Sequence, residues 1–335
     1  MIPPADHPAI PAPKVGLLLI NLGTPDLPEP GAVRVYLRQF LSDPRVVEIP
    51  RLVWQPILRG IILNTRPKKS AHAYRQVWSE EGSPLAAITR RQAKALQGAF
   101  GDNVIVDHAM RYGRPAIDER IAALKAQGCE RILLAPLYPQ YCAATTATAN
   151  DEAFRALMKM RWQPALRTLP PYYDHPAYIE ALRQSVEDSL SALDFQPDAI
   201  LASFHGMPER TLQLGDPYHC HCRKTARVLS EALGRELTVT FQSRFGRAKW
   251  LEPATDATLE ALPGQGVKKV ALVAPGFSAD CLETLEELAI RGRDSFMAAG
   301  GTHFAYLPCL NDSPAGVEML RSILARELEG WTGAA

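Results

Sequence analysis

Apolar residues in this chain fall into short runs closed by turn residues, with longer stretches of helical spacing between them. Residues 14–22 (KVGLLLINL) read as a buried strand that stops at a Gly-Thr-Pro turn. A helical stretch follows over 31–40, and Ser83-Pro84 opens another that runs to about residue 100. Residues 104–112 (VIVDHAMRY) form the next strand, and Gly113-Arg114-Pro115 turns the chain into a helix ending at 126. A strand at 131–138 leads through Pro139-Gln140-Tyr141 to a helix reaching about 159. A short strand at 166–169 is followed by a helix at 177–193, then by an apolar strand at 199–202. His205-Gly206-Met207-Pro208 turns the chain again, Gly215-Asp216-Pro217 breaks it a second time, and a helical segment begins near Cys222. Alternating strands and helices imply βαβ units with a mostly parallel sheet and helices on both faces.

The second half repeats the first. VIVDHAMRYG (104–113) is answered by LTVTFQSRFG (237–246), and RILLAPLYPQ (131–140) by KVALVAPGFS (269–278). TLPPYYDHPAYIEALRQSV (168–186) is answered by AYLPCLNDSPAGVEMLRSIL (305–324), and the opening strand corresponds loosely to AILASF and its turn. The offset of about 135 residues is too long for a solenoid and suits two copies of one domain. The expected fold is α/β, with two similar Rossmann-like domains related by duplication: residues 14–175 and 176–330, preceded by a flexible tail at 1–13. Two such domains facing one another make a cleft, where ligand sites concentrate.

Residues 46–63 (VVEIPRLVWQPILRGIIL) break the pattern. They are rich in Leu, Ile, Val and Trp, yet carry Pro50 and Pro56, which argue against one long helix. Two short core-packed helices would explain them. So would an amphipathic lip, over about residues 36–63, that meets an apolar ligand or a membrane surface.

Composition narrows the field. The 335 residues are 47% hydrophobic and 22% charged with a formal net charge of +1, which fits a soluble globular protein and gives no support for nucleic-acid binding. No apolar stretch reaches roughly 18 residues, and the Pro-rich start lacks the basic and apolar regions of a signal peptide. The six cysteines (Cys129, Cys142, Cys220, Cys222, Cys281 and Cys309) are mostly scattered, which points to a reducing cytoplasm with free thiols, or to a metal site.

Strand ends are where open α/β sheets place their chemistry. Here they carry Asn21, Gly23, Arg111, Tyr112, Tyr138, Tyr141, His205, Arg244 and the run from Phe277 to Glu283. The first turn has a single glycine, and neither GxGxxG nor a GK[ST] element occurs, so a nucleotide site has little support. Gly-x-Ser-x-Gly and HExxH are also absent. His205 and Glu283 sit on equivalent edges of two strands and are a candidate proton- or metal-handling pair. The helix dipole alone would explain an acid at Glu283, and Glu286 and Glu287, further along, are expected to face solvent. His219-Cys220-His221-Cys222 is spaced too tightly for a CxxC site and reads as unligated thiols in a loop, unless Cys142 approaches from the other domain.

Several motifs together resemble ferrochelatase: SFHGMP (203–208), GDPY (215–218), FQSRFG (241–246), APGFSADCLETLEE (274–287), NLGTP (21–25), EEGSPL (80–85), MRYG (110–113) and LYPQYCAATTAT (137–148). They run in order from about Val15 to the last helix and are most like proteobacterial members. The resemblance implies a chelatase-type fold and insertion of Fe²⁺ into protoporphyrin IX to give protohaem, the last step of haem synthesis, with no organic cofactor. It implies that His205 handles the metal or takes pyrrole protons, as base or first iron ligand, with Glu283 as its acidic partner. Arg111 and Tyr112 match residues of the opposite wall, and Tyr218, Trp250 and Phe277 match aromatic positions near the pocket. The 37–63 region matches the apolar lips, with peripheral contact to a membrane from a cytoplasmic location. Cys281 stands where many members have His, and the ending lacks their Cys-rich tail; Cys142, Cys220 and Cys222 are the candidate ligands of a [2Fe–2S] cluster. Two other readings remain: a non-catalytic carrier of a tetrapyrrole or metallophore, and a chelatase for another tetrapyrrole or metal, such as coproporphyrin or cobalt.

Overall fold

The computed structural model describes residues 13–246 and 248–332; the expected tail at 1–13 falls outside them except for Pro13. Strand β1 (Lys14–Gly23) leads to helix α1 (Pro30–Leu41). A helical arm follows: α2 (Arg51–Ile57), a π-helical turn (Leu58–Ile62) and α3 (Leu63–Val77). Then come α4 (Pro84–Leu96), β2 (Val104–Tyr112), α5 (Ile117–Ala126) and β3 (Cys129–Pro136). A second π-turn (Ala143–Ala147) opens α6 (Thr148–Met158), which precedes β4 (Ala165–Thr168) and α7 (Pro176–Ser191). The other half comprises β5 (Ala199–His205), α8 (Glu209–Gln213), α9 (Tyr218–Leu233), β6 (Leu237–Gln242), α10 (Thr255–Ala261) and β7 (Lys269–Val273). It ends with a π-helix (Glu283–Gly292), α11 (Arg293–Ala298), β8 (His303–Leu307) and α12 (Pro314–Leu328).

The strands form two parallel four-stranded sheets, ordered β2-β1-β3-β4 and β6-β5-β7-β8. The second order is the first with every strand replaced by its counterpart, as the repeated sequence blocks predict. Side chains alternate across each strand, and the alternation sorts β1 and β5 between different cores. Leu18 and Ile20 face α5 and α6, while Val15, Leu17 and Leu19 face the other way. On β5, Leu201 faces α10, α11 and the π-helix, while Ile200, Ala202 and Phe204 join the same cluster as Leu17 and Leu19. Helices α4, α7, α9 and α12 pack into that cluster, with further side chains from β3, β6 and β7. The molecule is therefore layered helix–sheet–helix–sheet–helix, with one shared apolar layer between the sheets. Helix α12 packs on α7 and also on α4 and β3, so the chain's last helix crosses back to the first sheet.

Proline opens α1, α4, α7 and α12, where its missing N–H costs nothing. The helical arm is different from the two short helices expected of residues 46–63. It runs from Arg51 to Val77 with Pro56 and Pro67 inside it. Pro67 cannot donate to the Leu63 carbonyl, and the Arg34 guanidinium does so instead at 2.8 Å. Asn64 Nδ2 likewise serves the Gly60 carbonyl at 2.8 Å within the π-turn. Side-chain donors thus carry the arm past its helix breakers.

The shared layer predicts cooperative behaviour. Leu324→Ala, which removes a fully buried α12 side chain from that layer, should cost about 2–5 kcal/mol in urea unfolding. The transition should stay single for both halves of the chain; two separated transitions would contradict a common core.

Candidate active site

His205 is the last residue of β5, the strand hydrogen-bonded to both β6 and β7. Its backbone is pinned from two sides. The Tyr218 hydroxyl donates to the His205 carbonyl at 3.0 Å, and the next residue's N–H, from Gly206, donates to the Gln242 carbonyl at 2.7 Å. A Cβ at position 206 would sit 2.5 Å from that carbonyl oxygen and 3.3 Å from the Trp250 ring, so only glycine admits the approach. The imidazole Nδ1 lies 2.7 Å from the Gly206 carbonyl. A carbonyl can only accept, so Nδ1 carries a proton, and in the neutral ring Nε2 is the acceptor.

Glu283 begins the π-helix that follows β7. Its carbonyl accepts from Gln242 Nε2 at 3.0 Å. In a π-helix the hydrogen bonds span five residues, so the turn is wider than in an α-helix. Glu287, four residues on, shares a helix face with Glu283. This corrects the expectation that Glu287 faces solvent. Its carboxylate accepts from the Ser243 N–H at 2.8 Å and the Ser243 hydroxyl at 2.5 Å. Burial pushes its pKa above the usual glutamate value; Ser243, the nearby His205 imidazole and Arg291 offset this only in part. Glu286 does not face solvent either: its side chain is only 12% exposed and takes the Arg291 Nε at 2.9 Å.

Trp250 packs beside Gly206 and donates its indole N–H to the Phe245 carbonyl at 3.1 Å. Phe277 lies partly buried where the β7 end meets Leu85 and Ile88 of α4. The structure thus gathers His205, Glu283, Tyr218, Trp250 and Phe277 at the carboxyl edge of the second sheet. Arg111 and Tyr112 belong to the first sheet and are buried there. Both grip Asp43, at 2.5 Å from the guanidinium and 2.9 Å from the phenol, and Thr148 adds a third donor at 2.5 Å. Burial alone would raise the Asp43 pKa, but the hydrogen bonds from Thr148 and the Arg45 N–H, with the Arg111 charge, hold it below the usual value. Tyr36 and Tyr74 bridge the two edges. Burial drives both phenols well upward, and the Glu283 charge adds to it. The arm is fastened to this edge by Leu282, which packs against Val33, Ala71 and Tyr74.

The cysteine reading needs correction. Residues 219–222 lie on α9, not in a loop. Two positions apart on a helix point to nearly opposite sides, so Cys222 is fully buried while Cys220 is exposed beside a surface groove lined by His219, Arg223 and Arg227. Cys142 is buried near Cys222, and burial raises both thiols far above their usual range. Among the described residues, no three His, Cys, Asp or Glu side chains are grouped to hold a metal. Cys220 and Cys222 thus point away from one another, and their placement gives no support to a cluster on Cys142, Cys220 and Cys222. Cys281 is buried against Leu85 and Ile88, its thiol raised by burial and by the Glu283 charge.

Sequence reasoning missed Asp43, Gln242, Ser243 and the role of Glu287. Ser243 had a usable signal, since it directly follows a strand. Asp43 had none, because its partners lie 68 and 105 residues away.

A ferrochelatase family profile matches residues 14–328. The chain is 56% identical to the ferrochelatase of Rhizobium meliloti (strain 1021) over 333 residues, covering 97% of this chain and 98% of that one. It is 54% identical to the ferrochelatase of Agrobacterium fabrum (strain C58) over 335 residues, 98% and 97% of the two chains. Among solved structures, SirB from Bacillus subtilis with Fe³⁺ superposes with a TM-score of 0.56 at 12% identity, over 95% of this chain and 97% of that one, a likeness of fold.

The raised Glu287 pKa has a sign that can be tested. Below about pH 4.5, its usual value, the folded and unfolded forms are both protonated. As pH rises, the unfolded chain ionises first, and stability is lost through the folded-state pKa. Glu287→Gln removes that loss, so its melting temperature should exceed wild type above pH 4.5 and converge with it below. A gap that does not change with pH would contradict the assignment.

Proposed function

The chain belongs to the ferrochelatase family, and from that premise we propose that it inserts Fe²⁺ into protoporphyrin IX to give protohaem, with His205 as the base. It is a lyase of haem biosynthesis, and iron is its substrate metal. The reading divides the labour between residues 14–175, with the arm as a lip, and residues 176–330, which carry His205 and Glu283.

The observation that carries the proposal is the hydrogen bond from His205 Nδ1 to the Gly206 carbonyl. It leaves Nε2 as a neutral acceptor at the carboxyl edge of the second sheet, beside two glutamates on one π-helix. A free-base porphyrin is flat and carries two pyrrole protons that must leave as one Fe²⁺ enters. Binding energy from an apolar cleft that bends the ring tilts those N–H bonds outward, a strain of about 1–5 kcal/mol. His205 Nε2 then takes a pyrrole proton. Glu283, and Glu287 on the same helix face, provide the onward acceptors, and the high proton affinity of Glu287 suits it to that step. Arg111, Tyr112, Tyr218, Trp250 and Phe277 shape the walls, the first two by holding Asp43 rather than by exposed contact.

The arm supports a second part of the reading, peripheral membrane contact by a cytoplasmic protein. No described helix is long and apolar enough to cross a membrane. Leu52 is 92% exposed, however, and Val53, Ile57 and Ile61 are exposed near it. Arg51 and Arg59 stand among them to meet anionic headgroups. Flotation with anionic vesicles should fall sharply in a Leu52→Ser, Val53→Ser variant; unchanged flotation would remove this part.

His205→Ala should lower anaerobic Fe²⁺ or Zn²⁺ insertion about a hundredfold or more, while protoporphyrin still quenches tryptophan fluorescence with near-normal affinity. Turnover close to wild type would overturn the role of His205. Faster turnover of coproporphyrin than of protoporphyrin would overturn the choice of substrate.

A further inference from the structure

Three groups on two elements have to keep their places relative to one another: His205 at the end of β5, and Glu283 and Glu287 on the π-helix. Two adjacent residues at the end of β6 touch the supports of all three. The Gln242 carbonyl receives the N–H of Gly206, next to His205, at 2.7 Å. Its side-chain amide donates to the Glu283 carbonyl at 3.0 Å and accepts from the Ser203 hydroxyl at 2.7 Å. Ser243 gives both its backbone N–H and its hydroxyl to the Glu287 carboxylate, at 2.8 and 2.5 Å. Gln242 is buried, and the two residues reach the acid–base groups through hydrogen bonds.

The backbone of Ser243 adds a second observation. Its φ is 65°, in the left-handed region that disfavours every residue but glycine. Backbone strain at a non-glycine residue persists only where the surroundings impose it, and it concentrates at working sites. Glycine would meet the φ without strain and keep the N–H donor. What serine adds there is the hydroxyl, and the hydroxyl is spent on Glu287.

We propose that Gln242 and Ser243 form a positioning clamp for metal insertion: Gln242 sets the separation of His205 from the π-helix, and Ser243 fixes the Glu287 carboxylate on the helix face it shares with Glu283. The proposal rests on the reading of His205 as the base. Neither residue touches the reacting atoms; both act through the groups they hold.

Ser243→Gly separates the two roles that serine fills. If Ser243 serves only the turn, the glycine variant relieves strain and keeps full activity. If it is a clamp, the variant is as stable as wild type or more so, yet its kcat falls about tenfold or more with KM for protoporphyrin little changed, because a hydrogen bond to an ionisable group is gone. Ser243→Ala, which loses the hydroxyl and keeps the strain, should show the same loss of kcat with a lower melting temperature. In a Glu287→Gln background, Ser243→Gly should cause no further loss. Wild-type kcat in Ser243→Gly, or an undiminished further loss in that background, would overturn the clamp. His205→Ala, assayed beside them, keeps the outcomes apart: an inactive His205 variant with a fully active Ser243→Gly sinks the clamp alone, and an active His205 variant sinks the function it rests on.

Discussion

One apolar layer holds this molecule together. It lies between the two sheets and draws side chains from β1, β3 and β5 and from helices α4, α7, α9 and α12. Close-packed interiors deform little, so this layer sets where the carboxyl edges of the two sheets stand. Polar ties at the same junction reinforce it. Arg91 grips Asp312 at 2.8 Å, Gln92 donates to the Asn311 carbonyl at 2.8 Å, Gln140 reaches Thr225 at 2.9 Å, and Tyr178 donates to the Pro275 carbonyl. The relative placement of the two edges is accordingly built into the fold. Freedom to admit a large flat ligand is left to the arm, where the exposed apolar side chains cluster on a helix interrupted by two prolines.

Against this frame the two sheet edges treat carboxylates in opposite ways. Asp43 at the first edge is buried, but several donors and a guanidinium converge on it, and its proton is held off. Glu287 at the second edge is partly buried, with fewer donors and a more distant cation, and its pKa is raised. Burial is common to both; the number and charge of the donors decide the direction. A locked ion at one wall and a group ready to take a proton at the other suit a reaction that must release two protons as a dication enters.

Much of the fold is legible in the chain because parallel strands buried on both faces need unbroken apolar runs, and their crossovers need helical spacing. Those runs placed β1 to β5 within a few residues, and the repeated blocks cover β6, β7 and part of β8, in two sheets of matching strand order. His205 was singled out because it closes such a run and Glu283 because it opens the helix that follows one; the family resemblance then supplied the roles expected of them. The cysteines misled because tight spacing in sequence is not tight spacing on a helix. Two positions along α9 separate Cys220 from Cys222 by about half a turn.

The arm and the acid pair mark where local reading stops. Two prolines signalled broken helices, yet Arg34, from a different helix, supplies the donor that Pro67 lacks. Glu287 was assigned to solvent because it lies further from the strand end, yet Ser243, from another segment, turns its carboxylate inward. The sequence by itself determined the duplicated α/β architecture, the family and the histidine, because apolar periodicity and motifs are written residue by residue. Only the tertiary structure decided which side chains surround that histidine. Asp43, Gln242, Ser243 and Glu287 owe their roles to partners far along the chain, and hydrogen-bond geometry and burial exist only once those segments have met.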